Sequence, residues 1–232
     1  MMKKKNRNGI RLLAAGGIFT ALFVLWTLLV LTVDVQPLGQ NGTNIGFAAL
    51  NTRFHRWTGV HMLLYTITDW LGLVPLCICM IFGGTGLFQL VKRKSLLRVD
   101  RDLLLLGLYY ITVIFCYLLF EVVPINYRPI PIAGYMEASY PSSTTLLVLS
   151  VMPTVSFQVQ GRMRKGAARM AVHVLVILFT VCMVAGRAAS GVHWITDIVG
   201  AMLLSTGLYL LYCGCVRRMT ETHKRGEDFG VS

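Results

Sequence analysis

A dense group of ionisable residues stands in the second half of the chain: Gly186-Arg187-Ala-Ala-Ser-Gly-Val-His193-Trp-Ile-Thr-Asp197. His193 and Asp197 are four residues apart, so on a helix they share a face and the carboxylate can orient the imidazole. Such orientation fixes the tautomer and leaves the other ring nitrogen free as nucleophile or base. Arg187 offers a planar fork of donors matched to phosphate oxygens. Arg128, arriving from a different segment, can clamp the same anion. Two arginines, a histidine and a carboxylate make a set for phosphoryl transfer, with charge stabilisation as the main catalytic contribution. No P-loop and no paired metal-binding carboxylates accompany them, which favours a covalent route without metal or cofactor.

Composition says what kind of element must hold these groups. Of 232 residues, 55% are hydrophobic and only 14% charged, against about 25% charged in an ordinary soluble domain. A water-soluble globule and a disordered chain are both excluded. Apolar runs occupy 10–33, 61–91, 103–123, 143–159, 171–186 and 192–213, and a helix of about 20 residues spans a bilayer. The expected fold is all-α: a single domain over 1–232, an integral membrane bundle of six transmembrane helices. The first run is too long for a typical signal-peptide h-region and lacks a clear A-x-A cleavage site, so it reads as a retained anchor.

The net charge of +12 sorts by position. Eighteen of the 22 basic residues fall in 3–11, 92–101, 162–169 and 217–225, alternate inter-span segments that the positive-inside bias assigns to the cytoplasm. Both termini are then cytoplasmic in a multi-pass cell-membrane protein, and the basic excess reports orientation rather than a nucleic-acid partner. The opposite side receives 34–60, 124–142 and the turn near 187–191.

Ionisable residues at membrane depth are costly and therefore functional candidates. Glu121, Arg128, Arg187, His193 and Asp197 converge at the outer boundary, with Glu137 in the same outer loop. Asp69 reads as a water-exposed residue of a poorly delimited second span, outside the site. Glu121 is expected to pair with Arg128 or Arg187. Ser142-Ser143-Thr144-Thr145 reads as a helix cap that can also bind phosphate. His55, Arg56 and Trp57 read as an outer interfacial segment, and His173 as a cytoplasmic-edge residue. The six cysteines read as buried thiols without a disulfide framework.

These blocks resemble the type-2 phosphatidic acid phosphatase and vanadium haloperoxidase superfamily, in its membrane lipid-phosphatase branch. Its pattern is K-x6-R-P, P-S-G-H and S-R-x5-H-x3-D. The chain has Glu121-x6-Arg128-Pro129, Pro141-Ser142-Ser143-Thr144 and Gly186-Arg187-x5-His193-x3-Asp197. The resemblance implies that His193 attacks phosphorus and forms a phosphohistidine, oriented by Asp197. Arg128, Arg187, Ser142, Ser143 and Thr144 would hold the phosphate, and Glu121 would modulate the site. The substrate implied is a lipid phosphate or pyrophosphate reached from the extracytoplasmic leaflet. The departures are Glu121 for lysine, Thr144 for the histidine that acts as acid, Ser143 for glycine and Gly186 for serine. A threonine hydroxyl is a poor acid at neutral pH, so a pyrophosphate, whose leaving group is itself a phosphate, fits the missing acid. The alternative is a family member weakened or inactive in catalysis that binds or transports lipid phosphates.

Overall fold

The computed structural model describes residues 2–228, and the side chains of Lys3, Lys4, Lys5, Arg7, Lys224 and Arg225 lie outside the described ones. Eight α-helices follow one another, with no strand among the described residues: α1 Met2–Thr32, α2 Ala48–Thr58, α3 Met62–Leu71, α4 Leu73–Arg93, α5 Arg101–Val122, α6 Ser143–Arg162, α7 Ala167–Ala189 and α8 Ile195–Asp228. The six expected apolar runs fall, in order, on α1, α3 with α4, α5, α6, α7 and α8.

Five stretches among the described residues are long and apolar enough to cross a membrane: Asn8–Thr32, Met62–Arg93, Arg101–Val122, Ala167–Ala189 and Ile195–Met219. The sixth expected run, on α6, is not among them, because α6 is the polar-faced core of the bundle. It packs on α4, α5, α7 and α8, and Ser150, Thr154 and Gln158 are all buried. Their i, i+4, i+8 spacing aligns them on one face. The Tyr109 hydroxyl donates to the Ser150 carbonyl at 2.9 Å, and the Tyr110 and Thr154 hydroxyls meet at 2.7 Å. Gln158 Nε2 donates to the Tyr212 hydroxyl at 3.0 Å. These buried polar groups lower the hydropathy of α6, and all but the Ser150 hydroxyl find partners.

The outer helices show the opposite pattern. Helix α5 buries Leu103, Leu106, Tyr110 and Val113 toward α6 and α8, while Leu108, Ile111 and Phe115 stand exposed on its other side. Apolar faces of this extent suit lipid rather than water.

Helices α1 and α8 pack along their length through small residues. A Cβ on Gly16 would stand 2.8 Å from the Leu211 backbone nitrogen, and one on Gly207 would stand 3.0 Å from that of Thr20. Close approach of this kind holds helices together where no hydrophobic drive separates them from lipid.

Three expectations change. The run 61–91 is two helices, broken at Gly72, whose N–H donates to the carbonyls of Thr68 and Asp69, each at 3.0 Å. The last run begins its helix at Ile195, which leaves His193 in the link between α7 and α8. The thiols are not uniformly buried: Cys213 is buried and Cys79 and Cys116 half-buried, whereas Cys77, Cys182 and Cys215 are exposed. Those three lie on outward helix faces, where an apolar thiol meets lipid at little cost.

Candidate active site

The site assembles where the α5–α6 connection, the start of α6, the end of α7 and the start of α8 meet. The connection folds as a narrow antiparallel ribbon, with a bridge between Tyr127 and Ala138 and a turn at Ile132 and Tyr135. Gly134 takes a positive φ of 84° at that turn, where a side chain would be strained. Cross-ribbon hydrogen bonds run from Ser139 N–H to the Asn126 carbonyl at 3.0 Å and from Arg128 N–H to the Glu137 carbonyl at 3.1 Å. One loop thereby presents Asn126, Arg128 and Ser139 together.

Asp197 is fully buried in the first turn of α8. It accepts the Trp194 N–H at 2.9 Å and Asn126 Nδ2–H at 3.1 Å, and the Ser139 hydroxyl donates to its Oδ2. Its own carbonyl accepts the Ser142 N–H at 3.1 Å, which ties the start of α6 to the start of α8. The structure changes the expected direct contact with the imidazole. His193 Nδ1 lies 3.6 Å from Asp197 Oδ2, beyond hydrogen-bond reach, and 3.1 Å from Ser139 Oγ. His193 Nε2 is buried without a partner in the protein. Burial pushes this imidazole down to about 4, and the positive Arg128 and Arg187 act in the same direction while Asp197 opposes them. It is a free base at neutral pH.

The two arginines lie near enough to His193 for their charge to act on its imidazole. Arg187, 1% exposed near the end of α7, reaches Asp69 Oδ1 and Thr68 Oγ1 on α3, each at 3.4 Å from Nη1. Arg128 Nη2 pairs with Glu137 Oε2 at 3.0 Å. Both guanidinium groups face the Tyr65 ring, at 4.8 Å for Arg187 and 5.7 Å for Arg128. Nε and Nη1 of Arg128, and Nε and Nη2 of Arg187, are buried with no partner in the protein. Unpaired buried donors are costly unless a ligand takes them up. Both guanidinium groups share the Tyr65 ring and act on His193, so an anion bound among them would take up these free donors.

The hydroxyl run behaves differently from a side-chain cap. Ser142 precedes α6, but no side-chain capping bond forms; its hydroxyl meets that of Thr145 at 3.0 Å. Ser142 and Thr144 are buried and Ser143 half-buried. The backbone N–H groups of the first turn of α6 have no intrahelical partner, which leaves them for an acceptor beside Asp197. Glu121 makes no ion pair among the described residues. It borders a small recess with Tyr117, Phe120, Tyr140 and Ser143, while the arginines expected to bind it pair with Glu137 and Asp69. His173 lies with Lys165 and Arg169 along an open cavity at the other end of α7, away from this cluster.

Residues 122–221 match the model of the PAP2 superfamily. The match covers the site-bearing stretch. It runs from the end of α5 into α8 and includes every predicted site residue except Glu121. The fold agrees with the crystal structure of a transmembrane PAP2-type phosphatidylglycerolphosphate phosphatase from Bacillus subtilis. The TM-score is 0.61 at 16% identity, over 88% of this chain and 96% of that one. No curated protein sequence matches the chain. With five apolar helical stretches of spanning length among the described residues, the chain is a multi-pass membrane protein.

One departure from the PAP2 motifs has a steric cause. A Cβ on Gly186 would stand 2.8 Å from Thr68 Cγ2 and 3.5 Å from Leu64 Cδ1. Helix α3 fills the space that the family's serine would need, and it brings Tyr65, Thr68 and Asp69 onto Arg187 instead. Asp69 is 53% exposed, as the sequence predicts, but it also pairs with Arg187 of the candidate site. Its depth in an apolar run was the signal that could have included it. For Asn126 and Ser139 the sequence offers no comparable signal.

Proposed function

We propose that the chain is a membrane phosphatase. It hydrolyses a lipid phosphate or lipid pyrophosphate at the extracytoplasmic face through a phosphohistidine on His193. The observation that carries this reading is that four buried guanidinium nitrogens of Arg128 and Arg187, and His193 Nε2 in the same cluster, all lack a partner in the protein. Nε2 forms the N–P bond as the P–O bond to the leaving group breaks, and that electron pair leaves on the bridging oxygen. Water then cleaves the N–P bond, releases inorganic phosphate and regenerates the imidazole. Arg128 and Arg187 stabilise charge on the phosphoryl oxygens throughout. The match of residues 122–221 to the PAP2 superfamily model supports the reaction class, and six membrane crossings, with α6 as the sixth, fit the alternation of basic segments.

Thr144 and Glu121, in place of the family's histidine and lysine, favour one competing reading: a lipid-phosphate binder or transporter with little turnover. The deciding experiment offers phosphatidic acid, diacylglycerol pyrophosphate and undecaprenyl pyrophosphate to the detergent-purified protein and measures released phosphate. Pyrophosphates should be the better substrates, and Thr144→His should raise turnover of the monoester by about 10-fold, more than that of either pyrophosphate. Binding without release from any of the three establishes the binder; a larger gain on the pyrophosphates refutes the leaving-group explanation.

Orientation has its own test. With the cytoplasm on the side of the basic segments, Arg98→Cys should resist an impermeant thiol reagent in intact cells and Tyr135→Cys should label. Tyr135 is 74% exposed at the ribbon turn, and it avoids the positive φ of Gly134. The reverse pattern overturns the assignment. The labelling is read against a background lacking the native cysteines.

A further inference from the structure

We propose that Ser139 is a positioning residue, relaying the orienting hydrogen bond from Asp197 to His193 and thereby selecting the tautomer with a free Nε2. The inference rests on His193 being the nucleophile. Ser139 is 2% exposed and its backbone is pinned to Asn126 across the ribbon. Its Oγ touches two groups: Asp197 Oδ2, and His193 Nδ1 at 3.1 Å.

The hydrogens of this chain can be assigned by counting donors. Asp197 already receives the Trp194 N–H and the Asn126 amide, and a carboxylate only accepts. The single hydroxyl hydrogen of Ser139 therefore goes to Asp197. Ser139 Oγ can then meet Nδ1 only as an acceptor, so Nδ1 carries the imidazole hydrogen. In a neutral imidazole the second nitrogen then has a bare lone pair. That nitrogen is Nε2, the buried atom with no partner in the protein. When Nε2 bonds to phosphorus, the ring becomes cationic, and the Nδ1–H···Oγ–H···Oδ2 chain holds that charge against the Asp197 carboxylate. No proton has to leave Nδ1 during the step. The 3.6 Å separation of Nδ1 and Asp197 Oδ2 shows why the relay is needed: the carboxylate is near enough to attract the charge but too far to fix the ring.

The test measures the tautomer and the rate separately. In protein labelled with ¹⁵N-histidine, His193 is assigned by the signals lost in His193→Ala. In the wild type Nδ1 should be protonated and Nε2 not. Ser139→Ala should shift the population toward the Nε2–H form and lower kcat about 100-fold with KM changed less than about 3-fold. Ser139→Thr, which keeps the hydroxyl, should restore the wild-type tautomer and kcat to within about 10-fold. A wild-type His193 protonated on Nε2 overturns the proposal without any variant. So does a Ser139→Ala protein with unchanged kcat. If the wild type hydrolyses none of the lipids, the tautomer of His193 in the wild type and in Ser139→Ala decides alone, so the relay and the hydrolase reading fail by different results.

Discussion

His193→Ala should reduce phosphate release by about 10⁴-fold or more while the protein still folds and still binds lipid phosphate. The size follows from the role. Loss of a covalent nucleophile removes the route itself, whereas loss of a supporting group only slows it. The fold should survive, because the imidazole contributes one hydrogen bond, to Ser139, and no apolar cluster depends on it. Binding should survive because Arg128 and Arg187 are untouched. A rapid acid-free quench with ³²P-labelled substrate should trap label on the wild-type chain and none on the variant, and the wild-type label should be lost on acid treatment. Release by His193→Ala within about 10-fold of wild type would sink the covalent mechanism. The pH profile gives an independent check. Burial and the two arginines push the His193 imidazole down to about 4. The free base then persists through the neutral range, and kcat/KM should show no loss from protonation of this group until pH falls to about 5.

The parts of this site legible in the sequence are those written as local spacing. Arg187, His193 and Asp197 share one short segment, and the topology of alternating basic segments brought Arg128 to the same end of the bundle. The helical class was equally legible, because apolar runs of spanning length have few alternatives in a membrane. What escaped was set by contacts between distant segments. Ser139 stands 54 residues from His193, and only the ribbon that pairs it with Asn126 aims it at the imidazole. The partners of the arginines were misassigned for the same reason. Glu121 matched the motif position, but Glu137 lies directly across the ribbon from Arg128, and Asp69 reaches Arg187 only because Gly186 lets α3 approach. Helix α6 looked like an ordinary span, yet its Ser150, Thr154 and Gln158 face tyrosines of α5 and α8. Its polarity marks the centre of the bundle rather than a lipid-facing surface.

Arg187→Lys should lower kcat/KM about 100-fold and Arg187→Ala about 1,000-fold, although the first keeps the charge. The guanidinium divides its work: Nη1 faces Asp69 and Thr68, and Nε and Nη2 remain free and buried. A lysine ammonium has one nitrogen on a flexible stem and cannot serve Asp69 and a phosphoryl group from the same place. Drawn toward Asp69, it would leave the developing charge unsupported, and loss of one preorganised donor costs about 10² to 10³ in rate. Arg187→Ala should cost little stability, since the carboxylate left behind is 53% exposed and water can solvate it. The double variant Asp69→Asn/Arg187→Lys separates the two effects. With the competing carboxylate neutralised, the lysine should swing toward the phosphate and recover about 10-fold of the loss, read as non-additivity in a double-mutant cycle. If Arg187→Lys retains wild-type kcat/KM, the fork geometry is irrelevant and Arg187 acts only as a point charge. If the double variant is no better than the single one, Asp69 does not compete for the cation, and its pairing with Arg187 is structural alone.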